Sequence, residues 1–217
     1  MANVEQNRHV SMVAVQVCLH IQNALASGFS LNLAAFHPHL THGNKRYVTQ
    51  IAQVIIAGRV LRGSFEIRKA DHADAGAVLD CLRTAFAGYR EQYTPEAFAD
   101  TVMNADSLQR RMRDMCLFVA CANGEIIGTV GCSAKGAEGH LRGMAVLPSW
   151  QGTGAAAALL RAAEAELSKN GCMRVTLDTT EPLARAIRFY EAHGFAASGR
   201  VADFFGMRLF EYTKSLF

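Results

Sequence analysis

No two of the six cysteines form a C-x-x-C pair: they fall at positions 18, 81, 116, 121, 132 and 172, mostly in apolar surroundings. That scatter argues against a zinc site and against a disulfide framework, so no metal is expected and a reducing cytoplasm suits the chain. A strong charge excess is missing too. The formal net charge is +3, with five Lys/Arg against one acid in residues 1–64 and seventeen against eighteen in residues 65–217. The near-neutral second part gives no sign of a nucleic-acid-coating surface.

Between residues 10 and 44 there is no Asp, Glu, Lys or Arg at all, yet Gln16, His20, Gln22, Asn23, Asn32, His37, Pro38 and His39 interrupt the run. It is too polar to span a membrane. Arg8 before an apolar run, with Ala24-Leu25-Ala26 after it, has the outline of a secretory leader. The reading preferred here is an N-terminal extension over 1–64: amphipathic, poorly ordered, or a translated upstream piece of an overlong reading frame with the start near Val60. With 217 residues, half of them hydrophobic, the chain can build one domain with a sizeable core plus such an appendage.

From Phe65 onward strand and helix patterns alternate. Phe65-Glu66-Ile67-Arg68 reads as a strand. Asp71 and Asp74 then supply a cap and an acidic first turn for a helix carrying Val78, Leu79, Leu82 and Phe86 on one face. Thr94-Pro95 opens a second short helix with Phe98 and Val102 inward. Residues 117–122 and 125–133 form a hairpin about Asn123-Gly124, the pair that tolerates the positive φ angles of a type I′ turn. A flexible linker over 135–139 and a strand over 141–146 follow.

After that strand, Gln151-Gly152-Thr153-Gly154-Ala155-Ala156 makes a glycine-rich turn into an Ala/Leu-rich helix that stops at Asn170-Gly171. Glycines there let a ligand approach the backbone, and the free N–H groups of the next helix favour an anion such as a pyrophosphate. A tight connection would explain the same residues. No Gly-Lys-Ser/Thr completes a Walker loop, and Ala157 stands where a dinucleotide fingerprint has its third glycine.

Three stretches together resemble the GCN5-related N-acetyltransferase (GNAT) superfamily. They are Leu141-Arg142-Gly143-Met144-Ala145-Val146-Leu147-Pro148, then Gln151-x-x-Gly154-x-Ala156, then Ala186-Ile187-Arg188-Phe189-Tyr190-Glu191-Ala192-His193-Gly194-Phe195. The resemblance covers about residues 65–213 and implies a GNAT domain over 65–217. Its fold would be α/β (α+β), a mixed, mostly antiparallel sheet of six or seven strands with helices on both faces.

The resemblance also implies a role for each element. Acetyl-CoA would be the cosubstrate. Met144, Ala145 and Val146 would hold its pantetheine arm by backbone hydrogen bonds, and the amides of Gln151, Gly152, Thr153, Gly154, Ala155 and Ala156 would hold its pyrophosphate. Tyr190 would be the general acid toward the leaving thiolate, although a plain packing role is open to it as well. For the base, His140, Glu138 and solvent water stay open. Leu183 stands where relatives commonly carry an asparagine, a contact that Thr179 or Thr180 would have to replace.

The acceptor would enter between the first two helices and a late hairpin, which nominates Tyr89, Tyr93, Asp203, Phe204 and Phe205 as substrate-binding residues or as a packed rim. The expected function is transfer of an acetyl group to a primary amine of a small molecule or protein. The competing expectation is a catalytically weak acyl-CoA-binding module. No nucleic acid or membrane partner is expected, and a homodimer is compatible with the resemblance.

Overall fold

The computed structural model describes residues 64–217; the expectations placed on the segment before Ser64 lie outside the described residues. Strand β1 (Glu66–Lys69) leads through a 3-10 turn, His72–Asp74, into helix α1 (Ala75–Phe86). Asp71 caps that turn by accepting from the Ala73 amide, while the Asp74 carboxylate accepts from the Asp71 amide, so both acids act one turn ahead of the helix they were expected to start. Helix α2 (Pro95–Val102) is capped by Thr94, whose hydroxyl accepts from the Ala97 amide, with Pro95 where an N–H is spare.

Helix α3 (Ala105–Asp114) was not anticipated. Asn104 caps it by accepting from the Ser107 amide, and its inward side is only Leu108 and Met112 among charged neighbours. The hairpin is formed by β2 (Cys116–Ala122) and β3 (Glu125–Lys135), joined by Asn123 (φ 50°) and Gly124 (φ 81°) as a type I′ turn requires. The expected linker at 135–139 is instead a tight turn. β3 runs to Lys135, Gly136 takes φ 60°, and β4 (Glu138–Val146) begins at once with Lys135 paired to Glu138. Glu138 is therefore a strand residue ion-paired to Arg174.

Helix α4 (Ala155–Lys169), β5 (Arg174–Thr180), α5 (Ala184–Ala192) and the hairpin β6 (Ala196–Phe204) with β7 (Met207–Ser215) complete the domain. The seven strands form one sheet in the order β1-β2-β3-β4-β5-β7-β6, antiparallel except for β4 and β5. Alternation along β2 feeds two cores: Phe118, Ala120 and Ala122 join the cluster under α4, while Leu117, Val119 and Cys121 join the cluster under α1 and α3. Leu159, Leu160 and Leu167 of α4 are fully buried, each stabilising the fold by about 1.5–3 kcal/mol. The expected mixed sheet covered on both faces is thus present, with seven strands. No helix among the described residues is long and apolar enough to cross a membrane.

Candidate active site

The parallel pairing of β4 with β5 stops early. Four pairs join Glu138, Gly139, His140 and Leu141 to Arg174, Val175, Thr176 and Leu177, after which the strands diverge. β5 stays paired to β7 through Thr180, and β4 stays paired to β3. Residues 142–146 of β4 therefore present amides and carbonyls that no strand pairs on the β5 side. A bulge sharpens the divergence. Gly143 and Met144 together oppose the single residue Val130, with Gly143 at φ 66°. A cavity of about 560 Å³ opens in the resulting cleft, within the size range of small-ligand sites.

Met144, Ala145, Val146, Gln151, Gly152, Gly154 and Ala156 line this cavity, whereas Thr153 and Ala155 do not. Ala155 is buried in the core, and the Thr153 hydroxyl donates to the Trp150 carbonyl at 2.7 Å. Gly152 (φ 79°) and Gly154 (φ 93°) hold conformations that L side chains rarely adopt, and Gly154 is the N-cap of α4. The side chain of Gln151 is engaged at both ends: Nε2 donates to the Val146 carbonyl at 3.2 Å, and Oε1 accepts from Arg185 Nη1 at 2.5 Å. That bond brings a cation not anticipated from the sequence to the turn whose amides open α4.

His140 is half-buried where the two strands part. Its Nδ1 lies 3.0 Å from Thr176 Oγ1, and that hydroxyl donates to the Gly139 carbonyl at 3.2 Å. A carbonyl can only accept, so the tautomer that satisfies both contacts at once is the one in which Thr176 donates to Gly139 and Nδ1–H donates to Oγ1. This leaves a lone pair on Nε2, which lies 3.8 Å from Asp178 Oδ2. Burial lowers the His140 pKa below 6.5, with the Asp178 charge opposing the shift. The imidazole is thus neutral near pH 7, and it lines the cavity. Asp178 also lines the cavity.

Tyr190 lines the cavity from α5 and is 8% exposed, its ring set edge-on to Phe189 at 5.4 Å and to Phe195 at 5.6 Å. Burial pushes its phenol pKa well above the ordinary tyrosine range, so the proton stays on Oη at working pH. Thr179 Oγ1 is buried at the cavity wall with no hydrogen-bond partner among the described residues, and Leu183 lines the wall beyond it.

Of the residues nominated for the acceptor, Tyr89, Tyr93 and Phe204 line the cavity. Tyr93 is buried, and its hydroxyl is 2.6 Å from Thr180 Oγ1, tying the segment after α1 to the end of β5. Asp203 and Phe205 are not among the lining residues. Phe205 is 51% exposed in the β6–β7 turn, where its carbonyl accepts from Thr94 Oγ1 at 2.8 Å.

A family model described as the acetyltransferase (GNAT) family matches residues 78–195. Among solved structures, the chain is similar to the PaiA N-acetyltransferase from Thermoplasma acidophilum in complex with coenzyme A: 21% identity, 70% of this chain and 99% of that one, TM-score 0.60. It is also similar to the ribosomal-protein-S18-alanine N-acetyltransferase from Escherichia coli, at 19% identity, 70% and 94% coverage, and TM-score 0.59. An aminoglycoside 6′-N-acetyltransferase complexed with coenzyme A matches at 16% identity, 70% and 97% coverage, and TM-score 0.54. At these identities the likeness is one of fold, and the acceptors named for the second and third proteins, a ribosomal protein and an aminoglycoside, are of different kinds.

Proposed function

The chain belongs to the GNAT acetyltransferase family, and from that premise we propose that it transfers acetyl from acetyl-CoA to a primary amine by direct attack, with His140 as base and Tyr190 as hydrogen-bond donor to the departing sulfur. The observation that carries this reading is the parting of β4 and β5 after Leu141 and Leu177, which leaves strand backbone unpaired along a cavity that ends at the glycine turn. An extended, amide-bearing arm can take up such an edge as an added strand would. The chemistry of the residues suits acetyl-CoA: the edge at 142–146 for the pantetheine amides, the turn amides of Gly152, Gly154 and Ala156 with Arg185 for the pyrophosphate, and the orphaned Thr179 hydroxyl for a further polar contact. When bound, acetyl-CoA supplies a reactive thioester.

The chain's own groups then handle protons. A protonated amine cannot attack a carbonyl, and His140 Nε2, bare and neutral, takes the proton while Asp178 compensates the charge that develops on the ring. Thr176 fixes the tautomer that makes this possible. Tyr190 lines the same cavity from α5. Its raised pKa makes full proton transfer to a thiolate uphill, so the phenol hydrogen-bonds the developing charge as the C–S bond breaks, and the departing thiolate takes the second proton shed by the attacking nitrogen.

The test is calorimetric titration with acetyl-CoA beside CoA, NAD and ATP, followed by thiol detection of CoA released in the presence of amines. Micromolar binding of acetyl-CoA with amine-dependent release supports the reading. Binding without release from any amine would leave an acyl-CoA-binding module, and no binding would remove the site assignment altogether.

A further inference from the structure

Arg111, on the cavity side of α3, makes no side-chain hydrogen bond and no ion pair among the described residues. It packs against the bulge of β4 so closely that a Cβ at position 143 would meet its Nη1 at 2.8 Å. Burial, and then the neighbouring Arg142, pull this guanidinium down to about 10, with Asp100 pulling the other way. Asp100 lies outside ion-pair distance of Arg111 and is paired with Arg142, whose Nη2 donates to its Oδ2 at 2.5 Å. A half-buried cation beside a second cation is costly to leave unmatched. Residues 1–64 hold a single side-chain carboxylate, Glu5.

We infer that Arg111 binds a carboxylate on the acceptor, so that the acceptor is a small amine bearing a carboxylate and an apolar body. This rests on the acetyl-transfer reading above. A planar guanidinium fork matches a carboxylate through two parallel hydrogen bonds. The cofactor's pyrophosphate is an unsuitable partner, because it belongs at the other end of the cleft. Gly143 and Val146 are three strand steps apart, about 10 Å, and the glycine turn lies beyond Val146. The apolar body has a surface ready for it in Phe86 and Tyr89, which line the same cavity and belong to the core cluster that α3 shares. A free amino acid meets this description, whereas the chain terminus or lysine of a protein acceptor carries no carboxylate at a fixed short distance from its amine.

The experiment compares CoA release from a panel of apolar α-, β- and ω-amino acids with release from their carboxamides, at saturating acetyl-CoA, for the full-length wild type, R111Q and R111K. Rates are expressed per unprotonated amine. The wild type is expected to favour the acid about tenfold or more in kcat/KM. In R111Q that ratio falls toward one through KM, and R111K keeps part of it. Equal use of acid and carboxamide by the wild type would overturn the inference while leaving acetyl transfer intact. So would an R111Q defect in kcat that is the same for both, which would place the guanidinium at the thioester carbonyl instead. If acetyl-CoA binds and no amine in any panel releases CoA, the acetyl-transfer reading falls and this inference falls with it. Loss of acetyl-CoA binding by an R111Q that melts like the wild type would assign the guanidinium to the cofactor and overturn the inference, and if R111Q fails to fold the wild-type ratio decides alone.

Discussion

His140 Nε2 stands 3.8 Å from Asp178 Oδ2, although the two residues come from different strands and pair with different neighbours. The contact sets a pH dependence. Burial holds the imidazole below 6.5 and Asp178 partly restores it. The base works only when neutral, so activity is lost as pH falls through the lowered value. The acidic limb of kcat/KM, plotted against unprotonated amine, is expected below pH 6.5. D178N removes the largest influence raising the pKa and should move that limb further toward acid, while H140Q should abolish it and lower kcat about a hundredfold. A limb that stays in place in H140Q would assign the base elsewhere.

Tyr190 is buried among aromatic rings, and its hydroxyl makes no hydrogen bond within the described residues. Y190F therefore removes no structural bond. The expected result is a fall in kcat of about ten- to a hundredfold with acetyl-CoA affinity and melting temperature close to wild type. A matching loss of stability would show that the ring's packing, and not its hydroxyl, had been disturbed.

Gly154 takes φ 93° at the N-cap of α4 and faces the cavity. G154A introduces no clash, since nothing lies within 4 Å of an added Cβ. It forces an L side chain into left-handed backbone at a cost of about 1–2 kcal/mol. If the turn relaxes to avoid that strain, its amides move. Acetyl-CoA affinity is then expected to fall more than stability does, a comparison made by calorimetry beside thermal unfolding.

Gly139 illustrates the opposite constraint. Its φ is unremarkable, but a Cβ there would lie 2.6 Å from Leu167 Cδ1, and Leu167 is fully buried. G139A is expected to destabilise the domain by about 1–3 kcal/mol through overpacking. Because the Gly139 carbonyl holds Thr176, and Thr176 holds His140, the variant should also shift the acidic limb described above.

Local chemistry carried much of the fold into view. Asn123-Gly124 announces its hairpin, and Gly152 and Gly154 announce their turn, because positive φ angles are written in residue types. Helix α3 escaped because Leu108 and Met112 are a thin apolar stripe among Asp106, Arg110, Arg111, Arg113 and Asp114, with Asn104 as its one clear signal. The ion pair of Glu138 was not legible because its partner, Arg174, arrives only through the parallel pairing of β4 with β5. The same pairing brings Asp178 to His140, and the α5 register brings Arg185 to Gln151. Such contacts depend on which strands become neighbours, and that information is not local. Phe205 shows the converse: an aromatic residue adjacent to a lining one, turned away because the β6–β7 hairpin reverses there.

Unpaired strand backbone normally invites the strands of other proteins, which is why sheets end in charges, bulges or short edges. In this domain the unpaired stretch of β4 lies inside the sheet, between β3 and a β5 that is itself committed to β7. The parting of β4 from β5 thus leaves unpaired backbone enclosed within the sheet and not offered along its rim, where an ordinary edge would expose it.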